Sequence, residues 1–236
     1  MYVLPDTEAK APADIGGLER HMLVWLSEEG WNVARASTEP QHNLAFKLWQ
    51  AQDWPLIVRR VDADAPADQV CLGLPLPPDE DTGAKVRIAL RAHVSHIRKM
   101  APALELAAVL RSSESPWRAP LTALEHDAAA MQLRLRVYGS MAMQALTELP
   151  YVSSTSDVDI LFYPDSRKQL EDGITILSRH AALLPLDGEI VFPGGAAVSW
   201  KEWRMVIANP AKVMVKELRS VRLATTDSLL ALLERL

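Results

Sequence analysis

Residues 134–163 read RLRVYGSMAMQALTELPYVSSTSDVDILFY and predict the elements around which the rest of the fold is built. A short apolar run that ends at Tyr138 is typical of a strand, and Gly139-Ser140 marks a turn. About nine helix-compatible residues follow, and a polar loop then leads into the run DVDILF at residues 157–162. The stretch therefore predicts strand, turn, helix, loop and acidic strand.

The acidic strand predicts a metal site. Alternation along a strand places Asp157 and Asp159 on one face, roughly 6.5 to 7 Å apart at their Cα atoms, and directs Val158 and Ile160 to the core. Two carboxylates this close repel each other unless a divalent cation lies between them. We therefore expect Mg²⁺, with Mn²⁺ as the alternative, and phosphate oxygens that complete its coordination shell, as at phosphoryl-transfer sites.

The Gly-Ser turn predicts the complementary phosphate site. Gly139 permits close backbone approach, and Ser140 opens a helix whose first amides attract phosphate. Either feature by itself also fits an ordinary turn or a solvated strand end. Their combination in one order, with sixteen residues between Ser140 and Asp157, is more specific. We therefore predict Asp157 and Asp159 as catalytic and metal-binding residues.

This order of motifs resembles the nucleotidyltransferase superfamily to which DNA polymerase beta belongs, in which Gly-Ser, a helix and Asp-x-Asp follow one another. The resemblance implies a third carboxylate from a neighbouring strand. If residues 197–205 form that strand, alternation places Glu202 on the face of Val198 and Trp200, which makes it the candidate metal ligand. Glu189 is the fallback, and Glu202 also fits an ordinary edge-strand charge.

Composition narrows the class of protein. The chain has 236 residues and 49% hydrophobic content, enough for one large domain or two small ones. A net charge of −5 argues against a nucleic-acid partner. The single cysteine, Cys71, excludes an internal disulfide and fits a reducing cytoplasm. No apolar stretch approaches the roughly 20 residues needed to span a bilayer, and no export signal is visible, so we expect a soluble cytoplasmic protein with no membrane partner.

Two domains and a linker are predicted. Residues 1–100 form a mostly β domain after a loose leader at residues 1–12, and residues 101–132 form a helical linker. Strands are expected at residues 21–26 (or the end of a short helix), 54–61, 69–74 and 85–90, and helices at residues 103–111 and 121–130.

Residues 133–236 form the second domain, which is nucleotidyltransferase-like. After the stretch quoted first, the pattern predicts a helix at residues 166–184, a hairpin of strands 189–192 and 197–205 joined by Pro-Gly-Gly, a strand at residues 213–217 and a helix at residues 227–236 with Asp227 near its N-cap. The fold class is therefore α+β, with an N-terminal mostly β domain followed by an α/β domain with a mixed sheet.

A narrower resemblance covers most of the chain from His21 onward. Its segments are residues 138–151 and 156–161, VCLGLPLPP at residues 70–78, the pair Arg59-Arg60, RIAL at residues 87–90 and VSWKE at residues 198–202. Together they resemble the phosphoribosyl-dephospho-CoA transferases that modify the acyl carrier protein of malonate decarboxylase. Met143 departs from the aromatic that members often have in the helix after Gly-Ser.

The resemblance implies a reaction. The donor is 2'-(5''-triphosphoribosyl)-3'-dephospho-CoA, the acceptor is a serine of the apo acyl carrier protein, and the products are a phosphodiester-linked prosthetic group and diphosphate. Asp157 and Asp159 match the family's catalytic aspartates. The expected phosphate contacts are Gly139 and Ser140, together with four cations, each of which also fits a solvated strand residue: Lys216, Arg59, Arg60 and Arg87.

Two other functions fit the same residues. The two aspartates suit a nucleotidyltransferase that transfers AMP from ATP to a small molecule or a protein. A catalytically silent module that docks the carrier protein fits as well. Only the resemblance favours the carrier of malonate decarboxylase over that of citrate lyase.

Overall fold

The computed structural model of the chain describes residues 17–112, 117–208 and 211–234. They form two compact units: an N-terminal one that ends at Ala103, and a C-terminal one made of the described residues between 104 and 217 and between 221 and 234. Residues 218–220 count with the N-terminal unit, where the Val61 amide donates to the carbonyl of Leu218 at 2.8 Å. The leader expected at residues 1–12 lies outside the described residues.

The N-terminal unit contains a five-stranded antiparallel sheet. Its strands are β1 Leu23–Leu26, β2 Leu56–Val58, β3 Gln69–Pro75, β4 Arg87–His93 and β5 Ile97–Ala101, in the order β4-β3-β2-β1-β5. The apolar run LVWL is buried at every position of β1, because this strand lies inside the sheet with both faces covered. Four of these strands match those predicted from the sequence.

Two helices of this unit were not predicted, α1 Glu28–Ala36 and α2 Asn43–Ala51. The Ser27 hydroxyl caps α1 by accepting a hydrogen bond from the amide of Gly30 at 3.2 Å. Trp31 of α1 and Trp49 of α2 are buried, with exposed fractions of 3% and 1%. Short 3₁₀ helices occupy Pro40–His42 and Val94–His96.

The C-terminal unit contains a seven-stranded mixed sheet. Its strands are β6 Leu104–Glu105, β7 Arg134–Val137, β8 Val158–Tyr163, β9 Leu186–Val191, β10 Ala197–Ser199, β11 Lys212–Lys216 and β12 Val221–Thr225, in the order β12-β11-β10-β9-β8-β7-β6. Strands β8 and β9 pair in parallel, and the other described pairs are antiparallel. The predicted fold class, α+β with a mixed C-terminal sheet, is confirmed.

Six helices are described in this unit: α3 Leu106–Ser112, α4 Arg118–Ala130, α5 Gly139–Thr147, α6 Arg167–His180, α7 Trp200–Ala208 and α8 Thr226–Leu233. Helices α3 and α4 lie in the segment expected as a linker, and both belong to the C-terminal unit together with β6. Helix α6 lies close on the sheet, because a Cβ at Gly173 would overlap the ring of Phe162. Among the described residues, no helix is long and apolar enough to cross a bilayer.

The strand expected at residues 197–205 is wrong beyond its third residue. The hairpin itself is confirmed, because Val198 pairs with Ile190 across the Pro-Gly-Gly turn. Strand β10 nevertheless ends at Ser199, and α7 begins at Trp200. Buried Trp200, Trp203 and Val206 recur every third residue, a spacing that buries one face of a helix and would alternate between the two faces of a strand.

The C-terminus differs from the prediction in one strand and one cap. Strand β12 was not predicted, and it pairs along its whole length with β11. Helix α8 begins at Thr226, so its N-cap is Thr225 and Asp227 lies in its first turn. An acid in the first turn still favours the helix through the helix dipole.

Candidate active site

The Gly-Ser bend and the acidic strand meet in the C-terminal unit. The Tyr138 amide donates to the carbonyl of Asp159 at 3.1 Å, which ties the start of α5 to β8. Gly139 has φ +69°, and a Cβ built on it would overlap Oδ2 of Asp159 and lie 3.0 Å from its Cγ. The carboxylate therefore occupies the space that a side chain at position 139 would need.

The residue at the N-cap position of α5 does not cap the helix with its side chain. This residue is Tyr138, which gives no side-chain hydrogen bond to the first turn. The amides at a helix start are donors that require partners, and the helix dipole favours an anion there. Ser140 is half-buried at this end of the helix. The bend can therefore receive phosphate oxygens beside the Asp159 carboxylate.

Side chains of α5 and of the loop itself hold the loop that leads to Asp157. The side-chain oxygen of Gln144 accepts hydrogen bonds from the amides of Tyr151 (3.1 Å) and Val152 (2.9 Å). Buried Ser156 accepts from the amide of Ser153 at 3.0 Å. Because both ends of the loop are anchored, the position of Asp157 at the start of β8 is fixed by the fold.

Alternation around the two acids agrees with the sequence. Val158 and Ile160 are buried, with exposed fractions of 0% and 1%. Asp157 is exposed and lies one residue before β8, while Asp159 is half-buried within it. The acids thus lie on the accessible side of the strand start, as a site for a charged substrate requires.

A third acid, Asp187, was missed by the sequence reading. In the parallel pairing of β8 with β9, Asp187 is the direct partner of Asp159, so their side chains lie on the same face of the sheet. Lys201 Nζ lies 3.5 Å from its carboxylate. The strand predicted at residues 189–192 begins after Asp187-Gly188, a dipeptide that is typical of turns. Its pairing with β8 is a long-range relationship that no local pattern indicates.

Gly188 explains how the two acidic strands pack so closely. Its φ is +129°, and a Cβ at this position would overlap the carbonyl oxygen of Ile160. A glycine is therefore required between Asp187 and Glu189 for β9 to reach β8 at this point.

Glu202, the expected third metal ligand, has a different environment from the predicted one. It lies in the first turn of α7 rather than on a strand, so the alternation argument that selected it is wrong. Its Oε1 accepts a hydrogen bond from the amide of Met214 at 2.9 Å. The structure therefore gives Glu202 a role in joining α7 to β11.

Glu189, the fallback, forms an ion pair with Lys216. Glu189 is 4% exposed, and its Oε1 lies 2.9 Å from Nζ of Lys216. A buried carboxylate needs a counter-charge, and this lysine supplies it while remaining 38% exposed itself. Register through β10 places both side chains on the Asp159 face. Lys216 therefore offers a positioned cation on the face of the acids.

The carboxylates do not by themselves enclose a metal ion. Among the described residues, no group of three or more His, Cys, Asp or Glu side chains is close enough to hold one. Asp159 with its neighbours at positions 157 and 187 supplies the hard oxygen donors that Mg²⁺ prefers. A cation held by so few protein ligands requires oxygens from a substrate, and the start of α5, next to Asp159, is where phosphate oxygens would approach.

The three arginines expected to contact phosphate belong to the N-terminal unit. Arg59 forms a two-point ion pair with Asp62 and donates through Nε to the carbonyl of Leu72 at 3.2 Å. Hydrogen bonds from Arg59, and then from Arg91, lower the pKa of the Asp62 carboxyl. Arg59 is therefore engaged within its own unit, while Arg60 and Arg87 are exposed.

Both structural units match domains of one known family. Residues 19–103 match the model of the phosphoribosyl-dephospho-CoA transferase MdcG N-terminal domain, and residues 104–227 match that of its C-terminal domain. The chain belongs to the phosphoribosyl-dephospho-CoA transferase family. The boundary between the two family domains coincides with the boundary between the two structural units at residue 103.

Individual members of the phosphoribosyl-dephospho-CoA transferase family align along almost their whole length. A phosphoribosyl-dephospho-CoA transferase of Xanthomonas campestris pv. campestris (strain 8004) is 38% identical over 212 residues, which cover 89% of this chain and 95% of the relative. One of Bradyrhizobium diazoefficiens is 34% identical over 208 residues, with 86% and 88% covered. No solved structure gives a significant match. The predicted resemblance to this transferase family is confirmed.

Proposed function

We propose that the chain transfers the phosphoribosyl-dephospho-CoA group from its triphosphate precursor to a serine of the apo acyl carrier protein of malonate decarboxylase, with release of diphosphate. Membership of the transferase family supports the chemical class. The observation that supports the site most strongly is the Asp159 carboxylate against Gly139 at the start of α5. An acid and a phosphate-binding helix start adjoin there, as in the nucleotidyltransferase mechanism that we infer.

The proposed reaction is a substitution at phosphorus. The serine oxygen attacks the α-phosphorus of the donor's triphosphate, the one bonded to the ribose 5'' oxygen, and a new phosphorus–oxygen bond forms. The bond from that phosphorus to the bridging oxygen of diphosphate breaks, and diphosphate departs with the electron pair. The serine proton passes to one of the carboxylates at the starts of β8 and β9. Atoms and charge balance without an oxidant or a further co-reactant.

The residues present fit a magnesium ion. Gly139 makes room for the Asp159 carboxylate at the start of α5, and carboxylate oxygens are the donors that suit a hard cation. Asp157 and Asp159 would hold Mg²⁺, or Mn²⁺, together with oxygens of the bound donor, and Asp187 would support the site from β9. When bound, the ion would neutralise charge on the triphosphate and on the departing diphosphate.

The chain's other groups orient the donor. The first amides of α5 and the Ser140 hydroxyl bind oxygens of the departing phosphates. Lys216, positioned by Glu189, adds a positive charge on the same face. These donors are fixed by the fold before the donor binds, so little reorganisation is needed in the transition state.

The test is transfer to a defined acceptor. The purified chain is incubated with the apo carrier subunit of malonate decarboxylase, Mg²⁺ and triphosphoribosyl-dephospho-CoA, and the acceptor mass is measured. We expect a mass gain on one serine, its loss with EDTA and its return with added Mg²⁺. Asp159→Asn should slow transfer about 10³-fold. Asp172→Asn, which changes an acid on α6 that pairs with Lys168, should leave the rate unchanged.

Two outcomes would overturn the proposal. Transfer only with ATP in place of the dephospho-CoA donor would assign AMP transfer instead. Binding of the carrier with no mass gain from either donor would make the chain a docking module. The apo carrier of citrate lyase, used as a second acceptor, tests the choice of carrier, because we expect slower transfer to it.

A further inference from the structure

The hairpin of β11 and β12 exposes three large apolar side chains on one face. Met214, Val221 and Leu223 have exposed fractions of 46%, 44% and 64%. Met214 pairs directly with Leu223, and Val221 pairs with Lys216, so the three lie side by side. Single exposed apolar residues are common on protein surfaces, whereas adjacent ones mark contact sites. We call Met214, Val221, Leu223 and the neighbouring Lys212 the hairpin face.

The hairpin face belongs to the same side of the sheet as the acids. Paired residues of adjacent strands point to one side, and the pairs Asp159 with Asp187, Glu189 with Ser199 and Ala197 with Lys216 link β8 to β11. At about 4.8 Å between neighbouring strands, β11 lies about 14 Å from β8 and β12 about 19 Å from it. The apolar side chains therefore flank the acids across the sheet.

Charge on this hairpin is opposite in sign to that of the whole chain. Lys212 and Lys216 of β11 lie on the side of the three apolar residues; Lys212 is exposed, and Lys216 pairs with Glu189 of β9. Arg222 points to the other side and pairs with Glu217 at 2.9 Å. The chain as a whole has a net charge of −5. A basic, partly apolar patch on an acidic protein fits a partner whose surface combines carboxylates with apolar side chains.

We propose that the hairpin face is the docking surface for the protein acceptor, which binds through an acidic and apolar patch beside its modified serine. This inference rests on the proposed function, because it names where the acceptor binds. A standard interface of about 800 Å² per partner extends roughly 16 Å from its centre. An acceptor centred on this hairpin thus reaches the acids of β8 and β9 without leaving the sheet face.

The test separates acceptor docking from chemistry. Leu223→Glu and Met214→Glu add a charge at exposed positions, where the fold tolerates it, and repel an acidic partner. Leu183→Glu is the matched control, because Leu183 is 71% exposed and lies in the loop between α6 and β9, outside the hairpin. Transfer is measured with the apo carrier of malonate decarboxylase, varying carrier and donor in turn. Direct binding of the apo carrier is measured separately by fluorescence anisotropy.

We expect Leu223→Glu to raise the KM for the carrier about tenfold and to weaken carrier binding equally, with the KM for the donor unchanged. Leu183→Glu should behave as the unaltered chain. Equal carrier binding by Leu223→Glu and Leu183→Glu would overturn the docking surface even if transfer is observed. If the unaltered chain transfers nothing, the proposed function fails, and the binding measurement still decides the docking surface. A dimer that Leu223→Glu converts to monomer, with carrier binding unchanged, would assign the hairpin face to a second copy.

Discussion

Gly139 and Asp159 share one space: the carboxylate of Asp159 lies where a side chain at position 139 would have to be. The same glycine opens α5, so the acid stands beside the positive end of a helix. A phosphate bound at that helix start would lie next to the carboxylate and be repelled by it. A divalent cation between the two anions removes the repulsion, which is the physical reason for a magnesium ion in the proposed mechanism.

Gly139→Ala should lower the transfer rate by at least about 10² while leaving the chain folded. The new Cβ forces the Asp159 carboxylate to move and strains a backbone with φ +69°. A shift of about 1 Å in a catalytic group can cost about 10² in rate, so we expect at least that loss in kcat. Acceptor mass and near-UV circular dichroism measure the two effects. Full activity in a folded Gly139→Ala chain would contradict the role of the bend.

Gly83→Ala is the control for Gly139→Ala, because it strains the backbone without displacing a neighbouring side chain. Gly83 has φ +68°, almost the same as Gly139, but nothing lies within 4 Å of its Cβ position. We expect it to lose about 1 to 2 kcal/mol in the free energy of unfolding and to keep its transfer rate. Equal activity losses in the two variants would mean that strain, and not the displaced carboxylate, lowers the rate.

Asp187→Asn tests the acid that register places beside Asp159. If Asp187 supports the metal site without being the main ligand, transfer should fall about 10- to 100-fold and the Mg²⁺ concentration for half-maximal rate should rise. Asp157→Asn should show a similar rise. Asp172→Asn on α6 serves as the control. If the Mg²⁺ requirement of Asp187→Asn is unchanged, Asp187 does not support the metal site, and Asp157 and Asp159 hold the ion without it.

The local half of the site could be predicted from sequence, because it is encoded within thirty consecutive residues. Gly139 had to be glycine, and Asp157 and Asp159 had to flank a buried Val158; turn chemistry and strand alternation indicate both. The part of the site that β9 contributes depends on how that strand pairs in the sheet. Asp187 lies beside Asp159 only because β9 pairs with β8 in parallel, and Asp187-Gly188 looks like a turn until that pairing is known.

Two other features of the site differ from the prediction because they depend on tertiary contacts between residues far apart in sequence. The Pro-Gly-Gly turn predicted a hairpin strand that continues past Ser199, but Trp200 and Trp203 are buried at helical spacing. That error selected Glu202 as a metal ligand. The ion pair of Glu189 with Lys216 crosses β10, and a relationship between two strands that are not neighbours leaves no local signal.

Lys216→Met should destabilise the chain more than Glu189→Gln. Removal of the lysine leaves a charged carboxylate that is only 4% exposed, whereas Gln at position 189 removes that charge. We expect Lys216→Met to lose about 2 to 3 kcal/mol in the free energy of unfolding and Glu189→Gln to lose about 1 kcal/mol. Urea titration measures both.

The double variant completes a cycle for this pair. If the two side chains interact as the structure has them, Lys216→Met adds less in the Glu189→Gln background, with a coupling of about 1 kcal/mol or more. Additive losses would show that the ion pair contributes no stability. Transfer rates of the same variants test whether Lys216 also assists the donor phosphates, since loss of a phosphate contact raises the KM for the donor.

Asp62→Asn should lower the stability of the N-terminal unit at neutral pH and have little effect in acid. Hydrogen bonds from Arg59 and then Arg91 lower the folded-state pKa of Asp62 below its unfolded value. A lowered folded-state pKa stabilises the fold above the unfolded pKa of about 3.9, and this contribution is lost as the pH falls through the folded-state pKa. Because the Asp62 side chain is 30% exposed, we expect only about 1 kcal/mol at pH 7. Urea titrations at pH 7 and below pH 4, with the exposed Asp81→Asn as control, should show the Asp62→Asn difference shrink with acidification; a constant difference would mean that the carboxylate charge contributes nothing.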